Sequence, residues 1–195
     1  MRILHAGIFR DHALGGDIVL RSGFVKNGHE HRRFDYRTIS KQYGCDAMNS
    51  LLIEQAQHAD LLFIGKGELI QPEALSRIAR AGVTIALWYG DMRLQPEPWL
   101  IDILRYCDVL FMTSAGDTLR QYWTMGKPGR AAFFLNPSDP NLSASYSRIQ
   151  RSTEPPLFTA TPCPFAGPER ESVFRYLSRR RDVQIVGSPK QRFAN

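Results

Sequence analysis

The sequence predicts an α/β protein: a Rossmann-like doubly wound parallel sheet followed by a partial βαβ unit. Three observations carry this. Six short apolar runs before residue 137 alternate with amphipathic stretches, the order that yields parallel strands joined by right-handed helical crossovers. The runs are continuously apolar rather than alternating, as strands covered on both faces require. Glycines stand at their ends or at the ends of the intervening helices, where turns need them.

The elements follow in order. Ile3–Ala6 is the first strand, closed by Gly7. Beyond Gly15-Gly16, Asp17 is placed to cap a helix reaching about Lys26, with Ile18, Leu20, Phe24 and Val25 as its apolar face and Asn27-Gly28 as its end. His29–Tyr36 reads as a second strand, polar for a central one. Asp46–Gln57 is helical, burying Met48, Leu51, Leu52 and Ala56. Ala59–Ile64 is the third strand, closed by Gly65. Pro72 opens the next helix at a position where its missing N–H costs nothing; Leu75, Ile78 and Ala79 form its inner side and Gly82 ends it. Val83–Trp88 is the fourth strand, Pro98–Tyr106 a helix, Asp108–Thr113 the fifth strand, Asp117–Met125 a helix ended by Gly126, and Arg130–Leu135 the sixth strand.

Residues 1–136 thus form one complete domain. Residues 137–156 contain Pro137, Pro140, Pro155, Pro156 and several serines, a linker composition. Residues 157–187 hold a strand at Leu157–Ala160, a helix at Pro168–Arg180 and a strand at Val183–Val186, an incomplete start of a second domain; 188–195 is a basic tail. The chain of 195 residues is too short for two full α/β domains. A lone βαβ unit cannot bury its own apolar face, so it is expected to pack on the first domain or on another copy of the chain.

Charge and cysteine usage narrow the classes. The 25 basic and 19 acidic residues give a net +6. The excess gathers at His29–Arg37 and toward the C-terminus, with no accompanying nucleic-acid motif, so it reads as a solvated basic face. Cys45, Cys107 and Cys163 are scattered, which argues against a disulfide framework and a zinc site. No metal-ligand spacing is present. No apolar run approaches the roughly 18 residues of a membrane span, and the N-terminal run is too short for a signal peptide. Cytoplasmic location is the resulting expectation.

Candidate ligand residues stand at the C-terminal ends of the strands, where open parallel sheets bind. They are Gly15 and Gly16 after the first strand, Lys66 after the third, Asp91 after the fourth, Ser114 after the fifth and Asn136 after the sixth. Gly15-Gly16 serve either a helix-opening turn or close approach to a phosphate or sugar. Lys66, in Gly65-Lys66-Gly67-Glu68, reaches an anionic ligand or is a solvated loop lysine; the spacing is not that of a P-loop. Asp91 follows Trp88-Tyr89, so either a stacking face and a hydroxyl-accepting carboxylate stand together or Trp88 is a packed residue at a strand end. The dinucleotide fingerprint is absent, although Asp35 ends the second strand where a ribose-binding acid would sit.

Several segments resemble one family in their order. Met1–Gly7, Gly15-Gly16 and Asn27-Gly28-His29-Glu30 look like the opening of a GT-B glycosyltransferase. Asp60–Gly67, Pro72, Gly82–Asp91, Cys107–Tyr122 and Phe133–Leu142 are similar to the spore-maturation-protein-B-like branch of the group-1 glycosyltransferases. Leu157–Pro164 and Arg181–Gly187 resemble the first two strands of its donor domain. The resemblance implies transfer of a sugar from a nucleotide-sugar to an acceptor without a required metal, and no tightly bound cofactor. It implies that the first domain shapes the acceptor site, so a sugar or glycosylated acceptor is the expected partner. Nucleotide-holding residues of the family fall later than this sequence extends, so transfer by this chain alone is not expected. The alternative is a non-catalytic Rossmann-like module that binds a sugar or a protein.

Overall fold

A computed structural model of the chain describes residues 1–9, 15–91, 93, 95–141, 157–159, 172–173, 175–176, 179–180 and 184–186. It divides into two units, Met1–Tyr146 and Ser147–Asn195. The first contains β1 (Arg2–Gly7), α1 (Gly16–Lys26), β2 (Glu30–Asp35), α2 (Tyr36–Tyr43), α3 (Cys45–Ala56), β3 (Leu61–Gly65), α4 (Pro72–Arg80), β4 (Thr84–Tyr89), α5 (Pro98–Leu104), β5 (Val109–Met112), α6 (Gly116–Gly126) and β6 (Arg130–Phe133). The second contains β7 (Leu157–Thr159) and β8 (Gln184–Val186), paired in parallel. The residues between these two strands lie largely outside those described, as do Cys163 and the basic tail.

The six strands form one all-parallel sheet in the order β2-β1-β3-β4-β5-β6. The fold is therefore doubly wound, as the sequence predicts. Its strand order reverses between β1 and β3, which places the switch point there. Right-handed crossovers then fix the layers. The step from β1 to β2 runs one way and puts α1 on one face. Every later step runs the other way and puts α2 through α6 on the opposite face. The side-chain clusters agree: Leu4, Leu62, Ile64 and Leu87 meet Met48, Leu52, Leu75, Ile78 and Ile103, whereas Ile3, Phe63 and Ala86 meet Leu20 and Phe24 of α1.

β2 is an edge strand, which accounts for its polarity. Glu30, Arg32 and Arg33 are exposed and only Phe34 is fully buried; charged residues on an edge discourage pairing with another sheet. α2 is a helix that the sequence does not announce, because Tyr36 is the only buried residue in its polar stretch. Asp35 caps it by accepting the Thr38 N–H at 3.1 Å, which gives this acid a structural role. Two further details depart from expectation. Gly15, not Asp17, is the N-cap of α1, and Val25 is exposed while Val19 is buried.

After β6 the chain returns toward α1. Asp139 accepts from Ser22 Oγ at 3.2 Å and pairs with Lys26 Nζ at 2.9 Å. The first residues of the expected linker are thus tied to the first helix. Between them lies an apolar groove of about 620 Å³, walled by Val19, Leu20, Phe24, Phe134 and Pro137. Cys107 is buried and burial pushes its thiol up, so it is inert. Among the described residues, no helix is long and apolar enough to cross a membrane.

The close packing at the switch point gives a test of the fold. A Cβ on Gly65 would lie 2.0 Å from the Asp17 carboxylate, and one on Gly7 would lie 2.7 Å from it. Gly65→Ala is expected to destabilise the protein by about 1–3 kcal/mol, the usual cost of overpacking, measured by urea unfolding. Adding Asp17→Ala to Gly65→Ala should cost less than the sum of the two single changes, because the clash is with that carboxylate.

Candidate functional site

Every strand of the first unit runs in the same direction, so the polar residues at the strand ends gather along one edge. An open sheet has its crevice at the switch point, here between β1 and β3. In this chain the crevice is filled by the protein's own side chains from both faces.

From the α1 face comes Asp17. It is 6% exposed and sits in the first turn of α1. The glycines at 7 and 65 leave room for it, since they end the two neighbouring strands with no side chain. A buried carboxylate needs donors. Oδ2 accepts the Ile8 backbone N–H at 2.7 Å and Oδ1 lies 3.0 Å from His5 Nε2. His5 is fully buried on β1, with Phe9, Phe63 and Phe24 packed edge-on at 4.9, 5.1 and 5.8 Å. Its other nitrogen, Nδ1, lies 3.1 Å from His31 Nε2 on β2. Donation of the His5 Nε2–H to Asp17 leaves Nδ1 to accept from His31 Nε2–H. A hydrogen-bonded line thus runs from α1 across β1 to the edge strand. Burial, then the neighbouring His5 and Arg21, hold His31 down at about 4.

From the opposite face comes Tyr36, at the start of α2. Its hydroxyl donates to Glu68 Oε2 at 2.6 Å and accepts the Gly67 N–H at 3.2 Å. Arg37 Nε donates to the other Glu68 oxygen at 2.6 Å. β2 and β3 are not neighbours, so this group spans the end of β1. Burial, followed by Glu68, pushes the Tyr36 phenol up and keeps it a donor. Glu68 is a member that the sequence shows only as part of a strand-end run.

The same group holds an unusual backbone. Lys66 has φ of 72°, in the left-handed region. A non-glycine residue there is strained by about 1–3 kcal/mol, and such strain persists only where the surroundings impose it. The Lys66 N–H donates to the Trp88 carbonyl at 3.0 Å, and the next residue is held by Tyr36. In this conformation Lys66 Nζ lies 2.7 Å from Asp91 Oδ2, with the two side chains 31% and 41% exposed.

The sequence-selected residues therefore fall into groups. Lys66 and Asp91 meet directly. Gly16 lies against the Trp88 ring, where a Cβ would come within 3.0 Å; Gly90 touches the same ring, and a Cβ there would be 3.5 Å from Asn136 Oδ1. Gly15 caps α1 and its carbonyl accepts the Val19 N–H at 3.0 Å. Ser114 is buried at the end of β5, and nothing in the described contacts joins it to the others. The Trp88 indole N–H is buried without a hydrogen-bond partner among the described residues. Arg93 Nε pairs with Glu97 at 3.0 Å beside the buried Tyr89. Among the described residues, no three His, Cys, Asp or Glu side chains converge as a metal site.

The sequence reading missed the pairing of Asp17 with His5 on one face and of Tyr36 with Glu68 on the other. A signal was present: glycine closes both β1 and β3, and a histidine interrupts an otherwise apolar strand.

Two measurements test this geometry. The His31 value lies below that of an unfolded histidine, about 6.5. Between these values the unfolded state binds more protons than the native state, so stability rises with pH. The contribution is complete above pH about 6.5 and is lost as the pH falls toward 4. His31→Gln should flatten the stability profile in that window, read from urea midpoints at stepped pH. Lys66→Gly should be no less stable than the parent, because glycine enters the left-handed region without strain; a clear loss would show that the backbone there is relaxed. Set against known families and curated proteins, the chain matches no family model and no curated protein.

Proposed function

We propose that the first unit is the acceptor-binding half of a GT-B-type glycosyltransferase that moves a sugar from a nucleotide-sugar to an acceptor hydroxyl. The observation that supports this reading is the Lys66–Asp91 pair at the carboxyl edge of the sheet, fixed on a strained backbone beside the switch point. Trp88 adds to it. Its ring is flanked by Gly16 and Gly90, and its N–H has no hydrogen-bond partner among the described residues. Aromatic faces, a paired ammonium and carboxylate, and closely approached backbone suit a polyhydroxylated ligand.

In the reaction the bond between the anomeric carbon and the nucleotide diphosphate breaks. A bond from that carbon to the acceptor oxygen forms, and the proton of the acceptor hydroxyl passes to the departing diphosphate. The part assigned to this unit is to hold the acceptor and orient that hydroxyl. Asp91 accepts a hydrogen bond from an acceptor hydroxyl and Lys66 donates one. The nucleotide belongs to a second half-site.

A second reading is a sugar- or protein-binding module without turnover. The pairing of Arg37 with Glu68 and of Arg93 with Glu97 favours it, since these groups already satisfy one another.

The test has two parts. The chain should be retained on immobilised glycans, and Lys66→Ala and Asp91→Ala should each weaken retention about tenfold, the loss of one charge-assisted hydrogen bond. Joined to a donor-binding half, it should transfer label from a nucleotide-sugar. Retention with no transfer in the joined protein selects the module reading in its sugar-binding form; no retention overturns the acceptor-half reading and leaves only a protein-binding module.

A further inference from the structure

We propose that Lys66 and Asp91 together read a vicinal diol, so that the ligand is engaged at this edge as a neutral carbohydrate and not through a phosphate. The proposal rests on the carbohydrate-binding reading above and specifies what that site selects.

The sequence presents Lys66 as a cation between two glycines, a plausible grip for an anion. The structure changes its chemistry. The Asp91 carboxylate lies 2.7 Å from the ammonium, so an anion approaching Lys66 also approaches a negative charge, and like charges set against a ligand act as a selectivity device. The neighbouring cations are matched in the same way. Arg37 lies against Glu68 and Arg93 against Glu97. Among the described residues, Lys66, Arg37 and Arg93 are each faced by a carboxylate before a phosphate arrives.

A diol meets the opposite situation. Each hydroxyl is both donor and acceptor. One oxygen accepts from Lys66 and its neighbour donates to Asp91. The oxygens of a gauche vicinal diol stand about one hydrogen-bond length apart, roughly 2.7–3.0 Å. The 2.7 Å between Nζ and Oδ2 presents a donor and an acceptor at that spacing. The pair is also easy to engage. Both side chains are partly exposed, and an exposed ion pair is worth only about 0–1 kcal/mol, so a ligand that shares its hydrogen bonds meets little opposition. The Lys66 backbone, held by Tyr36 through Gly67, fixes where the side chain leaves the strand end, and Asp91 holds the ammonium there.

The experiment titrates the full chain by NMR with three probes: methyl α-mannopyranoside, whose ring offers cis and trans vicinal diols, mannose 6-phosphate and inorganic phosphate. The glycoside is expected to shift the Lys66 and Asp91 amides, with inorganic phosphate at least about tenfold weaker. Asp91→Asn should reverse the order, losing glycoside affinity about tenfold and gaining phosphate affinity. Lys66→Gly, which relieves the backbone, should lose glycoside binding while remaining folded. Phosphate binding as tightly as the glycoside, or an Asp91→Asn variant with unchanged glycoside affinity, would overturn the proposal. Binding of mannose 6-phosphate at these residues through its phosphate alone would overturn the diol and leave the acceptor-half reading standing. No response there to either sugar would remove both.

Discussion

The fold turns on a carboxylate placed where an open α/β sheet ordinarily leaves a crevice. Asp17 is buried between the ends of β1 and β3, and a carboxylate in that position destabilises the structure unless it is surrounded by donors and given space. The surrounding sequence answers both needs. Glycine at 7 and 65 supplies the space, the Ile8 N–H turns back to the carboxylate, and His5 gives up a position on the sheet face that an aliphatic residue would otherwise fill. Aromatic rings close around His5, and His31 satisfies its outer nitrogen. The start of α1 is located by this contact rather than by a side-chain cap.

Filling the crevice shifts the chemistry outward. Tyr36, Glu68 and Arg37 close it from the other face and in doing so impose the left-handed turn at Lys66. Lys66 and Asp91 stand partly exposed at the outer edge of the strand ends. The exposed pair and the core architecture are linked through this turn, because the hydroxyl that completes a buried polar group also holds the residue after the exposed lysine.

The extent to which the molecule is legible in the sequence differs by element. β1, β3, β4 and β5 are readable because strands buried between helices must be apolar along their whole length. β2 is readable only weakly, since an edge strand carries charge. α2 is unreadable, since its stability comes from Asp35 and from the tertiary bonds of Tyr36 and Arg37, not from an apolar stripe. Of the site, Lys66 and Asp91 are visible as strand-end residues, but they lie 25 positions apart in the chain. Only the register of β3 against β4 makes them partners.

Composition and periodicity alone determined the α/β class, the number of strands in the first unit and the end of the sheet at which polar residues collect. These follow from local rules: buried parallel strands are apolar, and glycine or proline marks the turns. Tertiary structure decided the strand order, the single helix on one face and the occupant of the switch point. It also turned Lys66 from a lone cation into half of a neutral pair. The physical reason is the same in each case. Charge pairing, burial and the space beside a glycine are properties of which chain segments meet, and residues distant in sequence acquire them only when the sheet brings their strands side by side.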